Sequence, residues 1–384
     1  MLFFAWILSM SLLSFDCKRV SAEESNSQEL NKSILEQIDN LDFEALEKYL
    51  QSLSMIGEGE TIAQRLLAYI QGEEVHYESF LQDLWKIFTI EVRKLLPSFA
   101  CIAAITLLCG ILSSLKSDYL SASTGKTVFM IAYLGCLLPI LSILMECISS
   151  ANGCVSSLRE QMQLVFPLLL TLMAASGGAV SVAIYQPAVA FLANSLVGII
   201  SYVIFPFTVA ILSFNVVSHL FEEMKLAKFS AFFKAINKWI IGIAVSVFAL
   251  FFTIQGITAA HYDGVAKRVA KYAIGNGVPI VGGFLSGGFD LAVAGSILIK
   301  NSLGSLSIFL LVSILIGPLM ILIATNLLLR LTAAVAQPFG QNKISDFLGE
   351  TADTLNFFTA GLLFTAFLYF VVILLIVCSS EAFF

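Results

Sequence analysis

The chain has 384 residues, 58% of them hydrophobic and only 12% charged, with a formal net charge of −6 and a mean hydropathy of +0.90. A globular domain usually carries about twice that charged fraction, so the composition argues against an ordinary water-soluble fold. No lysine- or arginine-rich block occurs, and nothing therefore points to nucleic acid as a partner.

Residues 2–15 form a short apolar run, followed by Asp16-Cys17-Lys18-Arg19 and the small residues Ser21 and Ala22. The run is short for a membrane span, and a cut after Ala22 fits an export signal over 1–22. No Lys or Arg precedes the run, which leaves an uncleaved anchor as the other reading. From 23 to 96 the character becomes acidic. Ile34, Ile38, Leu41, Ala45, Tyr49 and Leu53 recur at helical spacing, and Phe80, Leu84, Ile87, Phe88 and Leu95 form a second such face. This stretch is expected to be a small extracytoplasmic helical region that packs on itself, on the bilayer or on a partner.

Eight apolar stretches follow, at 97–115, 128–148, 164–184, 188–213, 239–259, 279–299, 305–327 and 356–378. Each is roughly 19 to 26 residues, about what a helix needs to cross a hydrocarbon core of ~30 Å. Backbone groups in lipid must be satisfied internally, so these runs are expected to be helical. The predicted fold is all-α: a polytopic integral membrane domain over 97–384 with about seven or eight transmembrane helices. The lower number applies if 188–213 only dips into the bilayer.

Two groups of three stretches are similarly spaced. Pro167 and Pro206 bracket one close pair; Pro279 and Pro318 bracket another. Two three-helix units would be related by inversion, as in many transporters. The basic residues divide almost evenly between the two sides in either topology, so the charge-bias rule does not orient the chain. Residues 221–238 interleave Phe229, Phe232 and Phe233 with Lys225, Lys228, Lys234 and Lys238. That composition predicts an interfacial or partner-binding helix.

The candidate packing or pathway residues are Pro279, Gly282, Gly283, Gly287, Gly288, Asp290, Lys300 and Asn301. Gly283 and Gly287 are four apart, the spacing of close helix contact, and a broken helix there could line a cavity. An ionised Asp290 inside the run would cost ~2.5–3.5 kcal/mol at a helix centre, so it is expected to face protein or water. Gly177-Gly178 forms a second small-residue patch, while Gln186-Pro187 and Gln337-Pro338 mark bends. Glu146 is expected at a segment end, reaching water.

The seven cysteines show no CxxC pair, and the three histidines are far apart. No metal and no cofactor is therefore expected. There is no HExxH, GxSxG or GxxxxGK[ST], and Gly287-Gly288-Phe289-Asp290 lacks the spacing and the second aspartate of an intramembrane aspartyl protease. Catalysis is not expected.

Val278-Pro279-Ile280-Val281-Gly282-Gly283-Phe284-Leu285-Ser286, continuing through Leu298-Ile299-Lys300-Asn301-Ser302-Leu303-Gly304, resembles the stage III sporulation protein AE family of endospore-forming Firmicutes. Ala336-Gln337-Pro338-Phe339-Gly340 is a second similar stretch. The resemblance implies a non-enzymatic subunit of a channel-like, secretion-related complex in the mother-cell membrane around the forespore. It implies as partners the other stage III A proteins, including a separate ATPase subunit, with homo-oligomerisation left open. The alternative from the residues is a self-sufficient secondary transporter or permease of a small solute.

Overall fold

The computed structural model describes residues 80–114, 122–176, 178–220, 226–277, 282–339 and 342–378. The expected export signal and most of the acidic region, 1–79, lie outside the described residues. The described chain is helical throughout: α1 (Phe80–Ser114), α2 (Ala122–Ala175), α3 (Ala179–Phe191), α4 (Phe205–Leu220), α5 (Ala227–Gly277), α6 (Gly282–Ala336) and α7 (Asn342–Cys378). Two π-helical turns, Leu192–Leu196 and Ile200–Ile204, join α3 to α4 around a short α-helical piece, Val197–Ile199. A 3₁₀ turn, Gln337–Phe339, joins α6 to α7, so the bend expected at Gln337-Pro338 is present. Gln186-Pro187 instead lies inside α3.

Among the described residues, five helices are long and apolar enough to cross a membrane: Tyr133–Ala175, Ser181–Leu220, Ala227–Phe251, Val293–Ala336 and Asn342–Cys378. The all-helical expectation holds at this level, and the separations between apolar stretches differ. α2 runs through 149–163, where the polar residues suggested a connection. α6 runs through 300–304 in the same way.

The reason for the first is a buried stripe: Cys147, Ala151, Cys154, Val155, Leu158, Met162, Val165 and Leu169 all lie inside. Their three- and four-residue spacing continues one helical face past the polar residues. Gly153 meets nothing within 4 Å and breaks nothing. In α6, Ile299, Leu303, Leu306 and Leu310 play the same part. α2 has 54 residues and α6 has 55, so each is ~80 Å long at 1.5 Å per residue.

The helices pack antiparallel around one apolar core. Lys300 on α6 meets Val377 on α7, Asn326 meets Ala352, and Ala333 meets Ser345. Cys147, Cys154 and Gln161 on α2 meet Thr325, Ile314 and Ser307 on α6. Ring pairs lock the contacts. Phe166 and Tyr369 meet edge to face with centroids 5.4 Å apart, and Phe205 and Phe358 lie at 4.8 Å, separations at which aromatic pairs add to simple burial. α1 carries Pro97 within it, so the amphipathic run before residue 97 continues into the apolar one without a break. Similarly, the lysine-bearing stretch after Ala227 is the beginning of the long α5, not a separate helix.

Candidate functional site

Charged groups gather at one height of the bundle. Lys94 on α1 pairs with Glu146 on α2, Arg330 on α6 with Asp353 on α7 at 2.6 Å, and Lys234 on α5 with Glu350 on α7 at 4.0 Å. Cys147, next to Glu146, bonds Thr325 one turn from Arg330, which sets these pairs level. The hydrogen bond to Glu146 is the main reason the Lys94 ammonium is held above the ordinary lysine value. Glu146 is partly exposed, as expected, but lies inside α2 and inside the span Tyr133–Ala175, not at a segment end. An open cavity of about 560 Å³ beside this level is lined by His219, Arg330, Gln337, Ser345, Asp346 and Glu350. Its charged lining differs from the mostly apolar walls of small-molecule sites.

From this level α6 carries no further charge back to Lys300, and α7 none from Asp353 to Cys378. Lys300 is fully buried. Its Nζ donates to the backbone carbonyls of Ile376 at 3.3 Å and Val377 at 2.7 Å. The last carbonyls of a helix have no intrahelical donor and carry its negative end, so a cation is the natural cap. Gly304, one turn along α6, makes room for this approach: a Cβ there would lie 2.5 Å from Val377 Cγ2. Asn301 lies beside Lys300, half buried.

Of the remaining sequence candidates, Gly282 opens α6, and Gly283, Gly287, Gly288 and Asp290 follow along its backbone. Their side-chain environments lie outside the described detail, and Pro279 lies outside the described residues. Of the candidates, the structure thus brings Lys300 to the end of α7.

Several polar groups that the sequence reading passed over meet between helices. Asn215 on α4 donates to Thr354 Oγ1 at 3.2 Å and accepts from Ser230 Oγ at 2.8 Å, tying α4 to α7 and α5. Asn237 on α5 donates to Thr208 Oγ1 at 3.0 Å and to the Ile204 carbonyl at 3.3 Å. Ile204 closes the second π turn, and such turns alter the backbone pairing so that a side chain can enter. On α7, Gly361 lets this segment come close, since a Cβ would meet Phe205 Cε1 at 2.6 Å and Ile200 Cγ2 at 3.0 Å.

The first π turn faces α2. Arg159 there donates to Asn194 Oδ1 at 3.3 Å and to Tyr202 Oη at 3.5 Å, and Gln163 donates to Asn194 Oδ1 at 3.2 Å. Arg159 Nε has no partner, and Gln161, fully buried, donates to the Ser307 carbonyl. The signal for these residues was available: an Arg, a Gln and Asn residues at helical spacing within stretches flanked by apolar runs.

These features define an all-helical protein with several membrane-length apolar helices among the described residues, whose buried polar groups join helices to one another. Its sequence matches the profile of the family described as stage III sporulation protein AE over residues 62–380. The chain belongs to the stage III sporulation protein AE family. It is 26% identical over 319 residues to "Stage III sporulation protein AE" of Bacillus subtilis (strain 168), covering 82% of this chain and 79% of that relative. No solved structure matches it.

Proposed function

We propose that this chain is a non-enzymatic, multi-pass subunit of a channel-like, secretion-related complex in the mother-cell membrane around the forespore, required for endospore formation. Its partners in this reading are the other stage III A proteins, including a separate ATPase subunit. The observation that carries the reading is membership of a stage III sporulation family by a chain with five membrane-length apolar helices. The glycine-rich start of α6 acts here as a packing or gating element, and the acidic region before residue 97 recruits partners. The five membrane-length helices are the crossings of this reading; the seven or eight counted from apolar runs would need turns inside α2 and α6, which are continuous.

The test is deletion of the gene together with co-purification from sporulating cells. Loss of heat-resistant spores and recovery with other stage III A proteins is the expected result. Normal sporulation of the deletion strain ends the proposal. Gly283→Leu with Gly287→Leu should block spore formation while the protein still accumulates in membranes. The alternative, a self-sufficient transporter, is favoured by the repeat in the proline spacing. It predicts solute flux by the purified chain alone in liposomes.

A further inference from the structure

α2 changes the character of its outward face at Glu146. Before it, Ile131, Leu134, Leu138, Leu141 and Met145 are exposed. Beyond Met145, no large apolar side chain of α2 is exposed among the described residues. The polar exposed positions, beside Gly153, Pro167, Ala174 and Ala175, are instead Ser149, Asn152, Ser156, Glu160, Gln163 and Thr171. Their spacing of three and four residues, with Pro167 between the last two, keeps them on one face. From Ser149 to Thr171 the stripe is ~33 Å long at 1.5 Å per residue, close to the ~30 Å of a hydrocarbon core.

At the same height other sides of the bundle look different. α5 exposes Trp239, Ile243, Val247 and Leu250, and α6 exposes Phe309. The polar stripe is therefore not a general property of this slab. Glu160, exposed near its middle, has no cationic partner among the described residues. Arg159 beside it reaches only the neutral acceptors Asn194 and Tyr202 and leaves Nε without a partner. A charged side chain set in lipid costs ~2.5–3.5 kcal/mol on insertion scales. Small residues alone would suit helix packing, but Asn152 and Glu160 are polar groups that packing against apolar helices would leave unsatisfied.

We infer that the α2 face from Ser149 to Thr171 is wetted: it forms one wall of a water-filled passage across the membrane, closed by other subunits. The π turn carrying Asn194 lies along the same wall and holds Arg159 beneath it. This inference rests on the channel-complex reading and adds to it which surface the passage uses.

The test is cysteine accessibility in the full chain, in membranes from sporulating cells, with the exposed native Cys101 and Cys378 changed to serine. Asn152→Cys, Ser156→Cys, Gln163→Cys and Thr171→Cys are compared with Ile243→Cys and Leu250→Cys at the same height. Ser149→Cys replaces any stripe variant that does not accumulate. A charged, membrane-impermeant methanethiosulfonate should label the stripe positions at least tenfold faster than the two apolar positions. Equal and slow labelling at both sets overturns the inference, as does stripe labelling by an apolar maleimide alone. Failure of the channel reading is scored separately. A deletion strain that sporulates normally removes that reading whatever the labelling shows. A sporulation-defective deletion with an unreactive stripe removes only the passage.

Discussion

Lys300→Met keeps most of the aliphatic stem in its place and removes both bonds to the end of α7. Interhelical hydrogen bonds measured inside membranes average about 0.6 kcal/mol and reach about 1.7. Buried acceptors left without a donor cost about 1–3 kcal/mol each. Against this, methionine relieves the desolvation of a fully buried ammonium, a cost of several kcal/mol before pairing. The carbonyls of Ile376 and Val377 stay where they are, so the expected net loss is about 1–3 kcal/mol. That is roughly a 5- to 150-fold shift toward an undocked end of α7.

The exposed native Cys378 is the reporter, spin-labelled in a chain whose Cys101 is changed to serine. Lys300→Met should mobilise that label while a label at Leu138→Cys stays unchanged. Gly304→Val should act similarly by pushing Val377 away. An unaltered Cys378 spectrum with an unaltered unfolding temperature in Lys300→Met would refute the clamp.

Gly361→Leu must displace Phe205 and Ile200, and such overpacking costs about 1–3 kcal/mol. Gly349→Ala, with nothing within 4 Å of the new Cβ, should be neutral or gain up to ~1 kcal/mol of helix propensity; thermal unfolding in detergent compares the two. Asn215→Leu should cost about 1–3 kcal/mol by breaking the bonds to Thr354 and Ser230. In a cycle with Ser230→Ala the two losses should sum to less than independent effects, and strict additivity would rule out the coupling. The Arg330–Asp353 pair, with side chains 52% and 61% exposed, should show a coupling of only about 0–1 kcal/mol in a double-mutant cycle that weakens with salt.

The membrane-length helices were legible because apolar runs of that length have few other uses. The continuity of α2 and α6 was not read, because run length treats Ser149, Asn152 and Gly153 as a break. The buried spacing of Cys147, Ala151, Cys154, Leu158 and Met162 carries on through them, so periodicity would have found what run length missed. Lys300 was singled out for its charge. Its partner, the end of α7, lies 76 residues away in the chain, and sequence alone contains no signal for that meeting. Asn215 and Asn237 were invisible for the opposite reason. Asn215 is a single amide beside an apolar run and Asn237 sits among lysines, and only the neighbouring helix shows whether such a group is satisfied.

The paired π turns have a consequence for how this chain tolerates gain and loss of residues. Each wide turn accommodates about one residue more than an α-helix would need over the same rise. Deleting a single residue within 200–204 would let the backbone close into ordinary α-helix while everything after it keeps nearly the same facing. Asn215 would then still meet Thr354, whereas a deletion within 206–213, in regular helix, would swing it away by about 100°. Relatives with a one-residue gap in the π turn should therefore keep the facing surface of the last helix unchanged.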